Sequence, residues 1–153
     1  MNMFRSLFRK DVTFTAALFA SERMSLDIFD EEHLILKFPL KGLWKSKPLR
    51  FQADSFLYAK GDELFLFYEQ QHWDNPGRIA MIKTKDLKTW TEPQIVLQEP
   101  FHLSFPYVFE DDGFIYMIPE SQENDSIRLY RANSDLTSFT FVRTLLQQEK
   151  KGG

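Results

Sequence analysis

Two runs in this chain are apolar without interruption: Leu64-Phe65-Leu66-Phe67-Tyr68 and Phe114-Ile115-Tyr116-Met117-Ile118. A strand that is apolar on both faces must be covered on both faces, so each run predicts a strand held between packed layers. Short strand candidates separated by turn signals surround them, at 55–59, 63–69, 78–83, 93–97, 105–110, 114–118, 126–131 and 139–146. That spacing predicts an all-β antiparallel meander rather than strands alternating with helices. Upstream, 33–40 reads as a strand and 41–50 as a loop marked by Gly42 and Pro48. Residues 12–30 fit either a strand or one or two amphipathic helical turns, and 1–10 form a basic lead segment.

The two apolar runs belong to a repeat. "ADSFLYAKGDELFLFYEQ" (53–70) and "SFPYVFEDDGFIYMIPES" (104–121) superimpose without a gap at an offset of 51, which sets Ala53 on Ser104 and Glu69 on Glu120. "TKDLKTW" (84–90) and "NSDLTSF" (133–139) superimpose at an offset of 49, with Asp86 on Asp135, Leu87 on Leu136 and Trp90 on Phe139. Trp90 and Phe139 are expected to pin the outer strand of each unit. A unit of about fifty residues with four short strands is the pattern of a β-propeller blade. The expected organisation is an N-terminal segment (1–50) packed on the blades, a first blade (51–100), a second (101–147) and a tail (148–153).

Composition narrows the function classes. Aromatic residues make up 16% of the 153 residues, 16 of them Phe, which suits pleated surfaces. A formal charge of −3 lacks the basic footprint that nucleic acid requires. Without cysteine there is no disulfide, thiol catalysis or Cys-ligated zinc. His33, His72 and His102 show no metal-ligand spacing, so neither metal nor other cofactor is expected. No stretch approaches the roughly 20 apolar residues of a membrane span. The first 22 residues loosely echo a secretory signal, but Asp11, Thr13 and Thr15 interrupt the apolar run, so the expected location is cytoplasmic. Asn124-Asp125-Ser126 fits a glycosylation acceptor formally and reads as a polar turn.

The stretches "FQADSFLYAKGDELFLFYE", "GRIAMIKTKDLKTW" and "EPFHLSFPYVFEDDGFIYMIPES…IRLYRA" resemble the amino-terminal propeller domain of plant glucosamine inositolphosphorylceramide glycosyltransferases and their bacterial homologues, found with polysaccharide-biosynthesis and formyltransferase proteins. That family is similar in turn to the five-bladed propellers of arabinanases, xylosidases and invertases. The resemblance covers roughly residues 50–146. The family's Ala-Asp-Pro-Phe is here Ala53-Asp54-Ser55-Phe56, and two blades are visible where the family implies five, as in a fragment or a truncated relative.

Hairpin geometry places the candidate chemistry. Residues facing one another across a two-stranded hairpin are set by its turn. Turns at 60–62 and 111–113 set Asp54 opposite Glu69 and Ser104 opposite Glu120, at the same open end of two neighbouring hairpins, with His102 just before that end. Asp54 and Glu120 are the candidate catalytic carboxylates if the chain is an enzyme. Glu69, His102, Ser104 and Tyr68 are candidate ligand-binding residues. Each has a bland alternative: a solvated strand end for Glu69 or Glu120, a loop cap for Asp54, a donor to a backbone carbonyl for His102. Trp73 could stack on a sugar, but its loop setting gives no support for that.

Two functions compete. One is a noncatalytic module recognising a glycan or glycolipid for a glycosyltransferase partner; the other is a hydrolase-like enzyme using rim carboxylates as acid and base. The second blade has Ser104-Phe105-Pro106 where the first has Ala53-Asp54-Ser55, and this missing carboxylate weighs against hydrolysis. Two blades cannot cover all four apolar faces. The N-terminal segment is therefore expected over one outer face, through Phe14, Leu18, Phe19, Leu34, Leu36 and Phe38, with the other left as an apolar patch that favours self-association or a bound partner.

Overall fold

The computed structural model describes residues 16–21, 29–37, 49–73 and 75–148. Ala17–Phe19 (β1) and Leu34–Lys37 (β2) form a two-stranded antiparallel ribbon. Leu49–Lys60 (β3), Glu63–His72 (β4), Arg78–Thr84 (β5) and Gln94–Leu97 (β6) form one antiparallel sheet in chain order. Ser104–Asp111 (β7), Phe114–Glu120 (β8), Ser126–Ala132 (β9) and Phe139–Gln147 (β10) form a second. A three-residue 3-10 turn at Gln122–Asn124 is the one helical element among the described residues, and none of their helices could cross a membrane. All eight strands expected from Phe51 onward are present, and the ambiguous 12–30 segment contributes a strand at 17–19.

Local chemistry accounts for the hairpins. Lys60 pairs with Glu63 around Gly61-Asp62, where Gly61 takes the positive φ (60°) that a side chain resists. Asp111 pairs with Phe114 around Asp112-Gly113, both at positive φ (48° and 75°), the requirement of a two-residue type I′ turn. Below each hairpin the inner strand bulges. The ladder slips between Ala53 and Phe56 and again between Ser104 and Tyr107, with Asp54 at φ 51° and Phe105 at φ 47°. The β5–β6 and β9–β10 connections also match, with Leu87 at φ 60° and Leu136 at φ 61°. In them Asp86 accepts from the amides of Lys88 and Thr89 (2.9 and 2.7 Å), and Asp135 accepts from Thr137.

The sheets pack face to face. Phe65, Phe67, Ile79 and Met81 of the first meet Val108, Ile115, Met117, Tyr130, Leu136 and Phe139 of the second in one buried cluster. Phe139 sets its ring edge-on to Phe67 at 5.7 Å. On the far side of the first sheet, Leu66, Tyr68, Ala80 and Ile82 are covered by Ala16, Leu36, Trp90 and Ile95. The N-terminal ribbon therefore covers that face through Leu36. Leu18, Phe19 and Leu34 are half-buried in the ribbon, where Phe19 packs edge-on against Phe29 at 5.4 Å. Phe14 and Phe38 lie outside the described residues. The far side of the second sheet stays open, presenting Tyr107, Phe114 and Ile127 to solvent.

Candidate functional site

The bulges decide what the rim displays. Ala53, rather than the expected Asp54, pairs with Glu69. The residue inserted below the hairpin shifts the register, and its positive φ turns Asp54 out of the ladder into solvent. In the second sheet Ser104 does face Glu120, and its hydroxyl donates to the carboxylate at 2.7 Å. The other Glu120 oxygen accepts from the Gln122 amide at 3.0 Å, so both oxygens are held while the side chain remains open to solvent.

Glu69 joins the two sheets. Only 6% exposed, it sits where the buried face of β4 reaches the rim, and one of its oxygens lies 3.2 Å from His102 Nε2. Burial first, then the charges of Asp54 and Glu120, push its carboxyl up to about 7, and a hydrogen bond with Asp54 adds to the effect; Arg50 opposes it. His102 is fixed from its other side, because the Gly77 amide donates to Nδ1 at 3.1 Å. Nδ1 is thus the acceptor, and the ring proton sits on Nε2 facing Glu69. The ring fits only because residue 77 is glycine: a Cβ there would lie 2.6 Å from His102 Cε1 and 2.8 Å from the Leu103 carbonyl. The His102 amide in turn donates to the Glu123 carboxylate. A polar cavity of about 550 Å³ opens here, lined by His102, Glu120, Gln122, Glu123 and Asp125. It is large enough for a sugar unit.

The structure thus brings Asp54, Glu69, His102, Ser104 and Glu120 onto one rim. Tyr68 does not join them. Successive strand residues point to opposite faces, so beside a rim-facing Glu69 the Tyr68 ring lies fully buried with Leu66, Ala80 and Ile82 under the N-terminal ribbon. Burial raises its phenol well above the usual range. Gly77, Glu123 and Arg50 carried no sequence signal, because each acts through a contact with a residue far away along the chain. Arg50 lies near the Phe51 and Trp73 rings, 4.8 and 5.1 Å from their centroids.

Blade-like four-stranded sheets packed through one apolar face, with a shared polar rim, define part of a β-propeller. The solved structure of Bacteroides ovatus xyloglucan PUL GH43B superimposes with a TM-score of 0.50 at 15% identity, over 64% of this chain and 19% of that one, a likeness of fold alone. Residues 43–150 match the family described as glucosamine inositolphosphorylceramide transferase 1, N-terminal, and the chain belongs to that family. Over 103 residues, 66% of this chain, it is 42% identical to glucosamine inositolphosphorylceramide transferase 1 of Arabidopsis thaliana and 39% identical to that of Oryza sativa subsp. indica. The chain spans 14% of the length of each of these curated relatives.

Proposed function

We propose that the chain is a noncatalytic carbohydrate-recognising propeller module of polysaccharide or glycolipid assembly, serving a glycosyltransferase partner. The observation that carries this reading is the rim itself, where two adjoining sheets place Asp54 and Glu120 in solvent and back them with Glu69, His102 and Ser104. Solvent-facing carboxylates, that of Glu120 held in orientation by the Ser104 hydroxyl and the Gln122 amide, suit the hydroxyl groups of a sugar. The name of the matching transferases, which act in glycosylating a sphingolipid by its wording, supports a glycolipid-related ligand. A glycan array followed by calorimetric titration of the best ligand tests the proposal. Glu120→Gln should weaken binding by about 1–3 kcal/mol, the cost of losing a hydrogen bond to a charged group. An array with no ligand, or a Glu120→Gln variant that binds as tightly as wild type, would sink it.

One observation favours the second reading, a hydrolase-like enzyme using Asp54 and Glu120: a carboxyl pushed up to about 7 beside other carboxylates is how glycosidases hold an acid ready at neutral pH. A general acid, however, must come within hydrogen-bonding reach of the glycosidic oxygen. Glu69 is sealed beneath the rim, which favours recognition. A chromogenic-glycoside screen separates the readings, since turnover abolished by Glu120→Gln would establish the enzyme.

A further inference from the structure

The two sheets repeat one another from the hairpin turns to the rim and then differ. Ser104 and Glu120 are the last pair of the β7–β8 ladder. Their counterparts Ala53 and Glu69 are followed by three further pairs, Gln52 with Gln70, Phe51 with Gln71 and Leu49 with His72. The first sheet therefore stands above the shared rim by about 10 Å, at about 3.3 Å per residue. Trp73 follows the last residue of β4, at the top of this wall, and is 55% exposed. Its ring is fastened to the wall. The Arg50 guanidinium lies 5.1 Å from the ring centroid, Arg50 Nη1 donates to Gln71 Oε1 at 3.5 Å, and Gln71 Nε2 donates to the Asn75 carbonyl at 3.4 Å. Gln71 lies two residues beyond Glu69 on the same face of β4, so Arg50 and the ring it holds overlook the rim. Arg50 is also near enough for its charge to act on the Glu69 carboxyl.

We propose, resting on the carbohydrate-binding reading above, that Trp73 is the stacking platform of a second sugar subsite, so that the rim takes an oligosaccharide and not a single sugar. Packing gives the ring no other task. Trp90 lies against the apolar cluster under the N-terminal ribbon, whereas Trp73 belongs to neither apolar cluster of the described residues. With Arg50 against one side of the indole, an exposure above one half leaves the other face to solvent. The C–H groups of a sugar ring pack on such a face, and a tryptophan held in place beforehand loses little freedom when they do. Position sets the length of the ligand. The polar cavity of about 550 Å³ beside His102 and Glu120 has room for one sugar unit. Trp73 is four residues beyond Glu69, about 13 Å along the strand, which is farther than one sugar ring spans. A chain of sugars seated at Glu120 thus reaches the indole with a later unit, and a monosaccharide does not.

Free mono-, di-, tri- and tetrasaccharides of glucose, galactose, mannose, xylose and N-acetylglucosamine are the probes, titrated into the full chain by calorimetry and by tryptophan emission. The expected result is an affinity that rises with length, and a blue shift of emission that appears only with probes long enough to cover the ring. Trp73→Ala changes an exposed side chain, so it should keep the wild-type circular dichroism spectrum. It should lower affinity for the longer probes at least about tenfold and for monosaccharides less than about twofold. Trp73→Phe keeps an aromatic face, so it should retain most of the affinity while losing the emission shift, a result that a merely structural role would not give. Long-probe affinity unchanged in Trp73→Ala, or short and long probes weakened alike, overturns the platform and leaves recognition at Glu120 standing. If no probe binds the wild-type chain, carbohydrate recognition fails and the platform falls with it. If Trp73→Ala unfolds the chain, Trp73→Phe decides: an emission shift that persists overturns the proposal, and one that disappears with binding retained supports it.

Discussion

Replacing Glu69 by Gln isolates the electrostatics of the rim. Burial, with the Asp54 and Glu120 charges behind it, holds the folded-state pKa at about 7 against an ordinary value of 4.5. Because the folded chain binds this proton more tightly than the unfolded one, the associated stability is fully present below about pH 4.5 and is lost as pH rises through 7. At about 1.4 kcal/mol per unit, the loss across that window is roughly 3 kcal/mol. Gln has nearly the same shape and still offers His102 Nε2–H an acceptor, but it cannot ionise. The stability of Glu69→Gln relative to wild type should therefore rise by roughly 3 kcal/mol between about pH 4 and pH 8.5, a relative shift in melting temperature of about 6–12 °C for a chain of this size. Thermal and urea unfolding of both proteins across that range measure it, with the titrations of groups remote from Glu69 cancelling in the difference. Parallel stability profiles, offset by a constant, would refute the argument and mean that Glu69 ionises as freely folded as unfolded.

Gly77→Ala should cost about 1–3 kcal/mol by overpacking against the His102 ring and the Leu103 carbonyl, and a urea midpoint unchanged from wild type would deny it. Leu87→Gly and Leu136→Gly change the same positive-φ backbone with opposite results. Leu87 is 38% exposed, so glycine there should be neutral or stabilising by up to about 1 kcal/mol; Leu136 is fully buried, so glycine there should cost about 3–5 kcal/mol, and urea midpoints that fall equally would deny that strain and burial separate here.

Strands and turns were legible because their signals are local. Gly61 and Asp112-Gly113 mark loops by backbone chemistry; β4 is apolar on both faces because layers lie on both sides of it, whereas β8 carries the same pattern with one side open. Register was less legible. Counting pairs outward from a turn assumes that every residue pairs, and each inner strand carries a bulge with no glycine to announce it. In the first hairpin the count therefore assigned Glu69 to Asp54 instead of Ala53. In the second it reached Ser104–Glu120 through two slips that cancel: the turn centres half a residue later than counted, and the bulge takes that residue back. Tyr68 stands beside Glu69 in the chain, yet neighbours along a strand face opposite ways. The hold of Gly77 and His102 on Glu69 is tertiary, spanning the β4–β5 loop and the segment between the sheets, and no local pattern encodes it.

The paired bulges also explain why one geometry serves two purposes. Asp54 and Phe105 occupy the same inserted position 51 residues apart, with φ values of 51° and 47°. A non-glycine residue held there costs about 1–3 kcal/mol, so the surrounding sheet must enforce the conformation in both copies. What differs is the side chain the bulge delivers. In the first sheet it sets a carboxylate against Glu69 and raises that group's proton affinity. In the second it sets a phenyl ring, 62% exposed, on the wall of the cavity beside Glu120. The first bulge thus makes the rim polar and proton-holding, whereas the second gives it an apolar shoulder. A sugar ring, with hydroxyls at its edge and C–H groups on its face, matches that division.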